Sequence, residues 1–131
     1  MFSGTRPDNL GVKDGRFAAC KPTPNCVSSQ ADPADREHYI APIAFRGAMA
    51  DLRRAVESME RASVIRAEPN YLYAEYRTRL LRYVDDVELY YDQAAGLVHV
   101  RSASRLGRRD FGVNRNRVEA LRRLIGSFSP K

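Results

Sequence analysis

The chain has 131 residues, 44% hydrophobic and 29% charged, which is room for one domain around one core and excludes a fibrous or low-complexity polymer. Its net charge of +6 comes almost wholly from arginine, with lysine only at Lys13, Lys21 and Lys131. No apolar run is long enough to span a bilayer, and charges of both signs intermingle over 46–92, so nucleic acid is not the expected partner.

Residues 1–44 read as an irregular arm. Five of the seven prolines (Pro7, Pro22, Pro24, Pro33 and Pro42) lie here with Gly4, Gly11 and Gly15. Leu10, Val12, Phe17, Val27, Tyr39, Ile40 and Ile43 recur along it, so the arm is expected to lie over the core, with short strand segments at most. The start, Met1-Phe2-Ser3-Gly4-Thr5-Arg6-Pro7, has no apolar leader segment. A cytoplasmic protein is expected unless a leader precedes it. Cys20 and Cys26 sit six apart, and three readings stay open: a disulfide closing a proline-stiffened loop, two free thiols, or half of a metal site.

From Phe45 the period changes. Met49, Leu52, Val56 and Met59 form the apolar stripe of a helix over 47–61. The period then becomes two through 63–68, 71–78, 84–92 and 97–103, with Pro69-Asn70 as one turn and Gln93-Ala94-Ala95-Gly96 as a hairpin loop. Folding the hairpin about that loop sets Tyr91 against Val98, Leu89 against Val100 and Val87 against Ser102 on an apolar face. Tyr90 then meets His99, Glu88 meets Arg101 and Asp86 meets Ala103 on the other face. A slip of one residue would bury Glu88 and Arg101 among apolar groups, so both faces select the register. A last helix begins near Asn114, with Val118, Leu121, Leu124, Ile125 and Phe128 inward and Arg115, Arg117, Arg122 and Arg123 outward. The expected fold is α+β over residues 1–131: the arm, then over 45–131 one helix, an antiparallel four-stranded meander and a second helix.

Catalytic motifs are missing. There is no GxSxG, Walker loop, HExxH or GxGxxG, so neither a cofactor nor a metal is expected. Asp85 and Asp86 are adjacent and point to opposite faces of a strand. The segment Arg101–Arg117 runs from a strand end through Gly107 and Gly112 to a helix start, a junction that suits an anion. Arg101, Ser102, Ser104, Arg105, Asp110, Asn114 and Arg117 are the candidate anion site. Pairing of Arg105 with Asp86 or Asp110, capping by Asn114 and a bridge from Arg117 to Glu88 would instead make the segment scaffolding.

Arg101-Ser102-Ala103-Ser104-Arg105-Leu106-Gly107, then Asp110-Phe111-Gly112-Val113-Asn114-Arg115 and Arg117, resemble the C-terminal signature of the bacterial and plastid family called domain of unknown function 1499. Arg6-Pro7-Asp8-Asn9-Leu10-Gly11-Val12, Pro24-Asn25-Cys26-Val27-Ser28-Ser29-Gln30 and Tyr83-Val84-Asp85-Asp86-Val87-Glu88 extend the likeness over nearly the whole chain. It departs from the pattern at Lys21, where proline is frequent, and at Arg108-Arg109, where Tyr-Ser-like pairs are common. The resemblance implies a cell-envelope location, and with it the disulfide between Cys20 and Cys26, but no reaction. The leading expectation is a non-enzymatic envelope module that binds an anionic small molecule, a lipid headgroup or a protein partner, near a membrane if an anchor precedes it. A second is an enzyme using Asp86, Glu88, His99 and Arg101 as acid–base groups, which a deep cleft with His99 beside a carboxylate would favour. A third is a structural interaction domain, which a broad exposed apolar patch would favour.

Overall fold

The computed structural model describes residues 3–128. Two strands come from the arm, β1 (Cys26–Ser28) and β2 (Ile43–Ala44). Helix α1 (Met49–Glu57) leads to β3 (Ala62–Ala67), β4 (Tyr71–Arg77), β5 (Val84–Asp92) and β6 (Leu97–Ser104), and α2 (Val113–Phe128) ends the fold. All pairings among these strands are antiparallel, in the order β1-β6-β5-β4-β3, with β2 also on β6. The class is α+β, as expected, but the sheet has six strands where the sequence shows four. The arm supplies the difference. It lays β1 and β2 along the outer edge of β6, which a bare meander would leave with unpaired N–H and C=O groups.

Strand β6 pairs with β5 in the expected register, from Asp92 opposite Leu97 to Asp86 opposite Ala103, around the Gln93–Gly96 turn. Gly96 closes that turn at a φ of +65°, where a side chain would strain the backbone and its Cβ would fall 2.7 Å from the Arg46 guanidinium carbon. Alternation then divides the sheet into two faces. Leu72, Ala74, Tyr76, Val87, Leu89, Tyr91, Val98 and Val100 lie on one face. With Leu52, Ala55 and Val56 of α1, Val118, Leu121 and Ile125 of α2, and Val27, Ile40 and Ile43 of the arm, they form the main core. Met49, Met59 and Leu124 flank it half-buried. The Phe128 side chain lies outside the described residues.

The opposite face carries Tyr71, Tyr73, Glu75, Asp86, Glu88, Arg101 and Arg105. The arm crosses it, and Leu10, Val12 and Phe17 pack against Tyr71, Tyr73 and Tyr90 in a second small cluster. Two devices fix the arm's path. The Cys20 and Cys26 sulfurs lie at disulfide distance, 2.06 Å, closing a loop whose restraint on the unfolded chain contributes about 2 kcal/mol. His38 clamps the same loop, with Nδ1 at 2.8 Å from Asp35 and Nε2 at 2.9 Å from the Thr23 carbonyl. Burial pushes the His38 pKa down, but these two acceptors outweigh it and raise it. No group of three or more potential metal ligands occurs among the described residues.

Candidate functional site

Strand alternation sends odd positions of β4 and even positions of β5 to the arm-covered face. Glu75 and Asp86 are therefore cross-strand partners, as are Tyr73 and Glu88. Glu75, Asp86 and Glu88 are buried and together need counter-charges. Arg105, just past β6, supplies the main one. Its Nε and Nη2 hold the two Asp86 oxygens at 2.9 and 2.8 Å, and Nη2 also reaches Glu75 at 2.6 Å. Arg6, from the arm, holds the same Glu75 oxygen at 2.6 Å. The Tyr73 hydroxyl donates to Asp86 and stands 2.9 Å from Glu75. Burial pushes the Glu75 carboxyl up, but hydrogen bonds from Arg6, Tyr73 and Arg105 prevail and hold it at about 2. Those carboxylates push Arg105 further above its ordinary value, against the opposing effect of burial.

Glu88 sits deeper in the same face. One of its oxygens accepts the Tyr71 hydroxyl at 2.6 Å and the Gly11 N–H at 2.8 Å. Its other oxygen, Oε1, is 3.9 Å from Arg101 Nη1, and neither that oxygen nor Arg101 Nε has a hydrogen-bond partner among the described residues. Arg101 also donates to the Ala19 carbonyl of the arm at 3.2 Å. Three carboxylates and three guanidiniums thus neutralise one another beneath the arm.

The seven residues of the candidate anion site do not converge. Arg101 and Arg105 share the arm-covered face, while Ser102 and Ser104 project to the helix side of the same strand. There, Asn114 is the hub. Its Oδ1 accepts from Ser102 at 2.6 Å and Arg117 at 2.9 Å, and its Nδ2 donates to Ser104, Asp110 and the Asn25 carbonyl. Asn114 lies within the helix, which starts at Val113, and the capping carboxylate is that of Asp110. Asp110 accepts the Gly112 and Asn114 N–H groups at 2.9 and 3.2 Å. Arg117 turns inward, unlike the outward arginine expected from the helical pattern. It holds Asp85, not Glu88, at 2.6 Å and lies over the Tyr76 ring at 4.8 Å. The reason is Asp85 itself, a carboxylate on the core side of the sheet that needs a nearby cation.

His99, on the arm-covered face, meets the Ser29 hydroxyl at 3.1 Å through Nδ1 and stacks on Tyr90. Burial lowers its pKa, and Arg16 adds to this against the opposing pull of Asp92. It borders an open groove whose lining includes neither Asp86 nor Glu88.

Sequence reasoning singled out the β6–α2 segment but not the β4–β5 loop that meets it at the end of the sheet. On the arm side of that end, Arg77 and Arg82 join Arg6, Arg105, Glu75 and Ser3 around a cleft of about 370 Å³. Arg6 and Arg105 already have carboxylate partners there. Arg77 and Arg82 are exposed and make no ion pair with another described residue. On the helix side of the same end lies a second cleft of about 320 Å³, whose lining includes Tyr83, Leu106, Phe111 and Val113. The signal available in the sequence was the cluster of arginines in the two loops, Arg79 and Arg82 in one and Arg108 and Arg109 in the other.

The geometry defines an α+β domain with a neutralised ion network under its own N-terminal segment and uncompensated arginines at one end of the sheet. The chain belongs to the family described as Protein of unknown function (DUF1499), whose model matches residues 16–125. No curated protein and no solved structure matches the chain.

Proposed function

We propose that this is a non-enzymatic, envelope-associated module whose arginine-lined cleft binds an anionic group such as a phosphate. The observation that carries the reading is the surplus of Arg77 and Arg82 beside a network that is already neutral. Two guanidiniums facing one cleft repel each other unless an anion lies between them, and guanidinium geometry suits the oxygens of phosphate. The site moves from the 101–117 junction to this cleft, with Arg105 common to both. The Cys20–Cys26 pairing supports an oxidising compartment, hence the envelope. Acid–base catalysis has less support, because the arm roofs Asp86, Glu88 and Arg101, and His99 faces Ser29.

Thermal denaturation in phosphate tests this. A ligand at ten times its Kd stabilises the folded state by about 1.4 kcal/mol, so millimolar phosphate or sulfate should raise the melting temperature. Arg82 adopts a left-handed backbone, φ +54°, which costs a non-glycine residue roughly 1 kcal/mol. Arg82→Gly is therefore expected to be as stable as the parent or slightly more so, and to lose most of the phosphate response. A parent protein indifferent to millimolar phosphate and sulfate would remove the proposal.

A further inference from the structure

The same end of the sheet exposes its largest apolar side chains. Phe111 is 91% exposed and Leu80 87%, with Leu81, Leu106 and Val113 also open to solvent. They come from two loops that meet around the 320 Å³ cleft, since Thr78 and Tyr83 of one loop line it opposite Leu106 and Phe111 of the other. Phe111 also has a left-handed backbone, φ +53°. Glycine would relieve that conformation, and the ring's exposure leaves it almost no packing inside the fold to compensate.

Exposed arginines surround these tips. Arg79, Arg82, Arg108 and Arg109 make no ion pair with another described residue. The nearby acids are committed, Asp110 to the start of α2 and Asp85 to Arg117. Such a surface suits an occupant that is apolar inside and negatively charged at its boundary. A second copy would bring the same uncompensated arginines face to face, which like-charge repulsion opposes. The apolar groups also protrude from two loop tips, which suits entry into a soft phase better than fit to a rigid protein pocket. A bilayer containing anionic lipid satisfies both demands, because its headgroups take arginine while its acyl boundary takes Phe and Leu.

We propose that this end of the domain docks onto anionic membrane surfaces, with Phe111, Leu80 and Leu81 entering the headgroup layer and Arg79, Arg82, Arg108 and Arg109 contacting lipid phosphates. The proposal rests on the anion-binding reading and names the source of the anion.

Co-flotation of the whole oxidised chain with vesicles tests it. Vesicles of phosphatidylcholine with phosphatidylglycerol are expected to retain the protein at least about tenfold better than phosphatidylcholine alone, with retention falling as salt rises. The double variant Leu80→Ser, Phe111→Ser is expected to bind at least about tenfold more weakly. Both side chains are solvent-exposed, so its melting temperature and its response to inorganic phosphate should match the parent's. The pair Arg108→Glu, Arg109→Glu should lose vesicle binding with the apolar tips intact. Equal retention by neutral vesicles, or undiminished binding by the double variant, overturns the proposal. Stabilisation by phosphate without vesicle binding overturns membrane docking alone. Indifference to both anions and vesicles overturns it together with the anion-binding reading.

Discussion

Arg105→Ala is expected to destabilise the protein by about 3–5 kcal/mol, because it strands Asp86 and Glu75 in the sheet without their shared counter-charge. The guanidinium makes a two-pronged contact with Asp86, reaches Glu75, and lies against the Tyr73 hydroxyl at 3.2 Å. No other described cation touches Asp86, and Arg6 reaches only Glu75. Urea denaturation should show the midpoint falling sharply, and a loss below about 1 kcal/mol would mean that the pair carries little net stability. The same network predicts how acid acts. The folded pKa of Glu75, about 2, lies below its ordinary 4.5. Its contribution is therefore complete above pH 4.5 and fades as pH falls toward 2. That fading amounts to a loss on the order of 3 kcal/mol. Denaturation curves between those limits should show the decline in the parent and a flatter one in Arg105→Ala.

Arg117→Ala is expected to cost a similar amount, about 3–5 kcal/mol, through different contacts. Its partner Asp85 is buried on the helix side of the sheet, and the guanidinium also bonds Ser102 and Asn114 and covers the Tyr76 ring. Loss of Arg117 therefore unsettles the Asn114 hub that ties the first turn of α2 to Asn25 and Ser104. Amide exchange should accelerate first at the N-terminal turn of α2 and in β1. Unchanged exchange there, with a small stability loss, would contradict this role. The phosphate response should persist in Arg117→Ala, since the arginine-lined cleft lies on the other side of the sheet.

The legible part of the fold was the part governed by local periodicity. Glu88 opposite Arg101 and Leu89 opposite Val100 selected the β5–β6 register from both faces at once, and the structure has that register. Short strand segments were expected in the arm, but the position and pairing of β1 and β2 were not legible, because three and two residues are too few to show a period and their partners on β6 lie far along the chain. The inward turn of Arg117 escaped a reading in which helical charges face solvent. Its signal was Asp85, whose position in the strand pointed it to the core side. The segment 101–117 read as one neighbourhood because it is contiguous, yet alternation in β6 parts Arg101 and Arg105 from Ser102 and Ser104. The cleft at Arg77 and Arg82 went unseen because the shape of the 78–83 turn, with Arg82 in a left-handed conformation, is not written in any local pattern.

The arm's route over the sheet sets an order of events during synthesis. Residues 26–28 leave the ribosome early, but their partners are residues 101–103 of β6. At roughly 5–20 residues per second, the arm waits on the order of 4–15 s for the strand it must pair with. Cys20 and Cys26 need no such wait, being six apart, so the thiols can find each other before any sheet exists. The Arg6 and Gly11 contacts to Glu75 and Glu88 form only once β4 and β5 are in place. Until then the half-made sheet presents bare carboxylates and tyrosines to water, and chain growth must reach β6 before the arm can close over them.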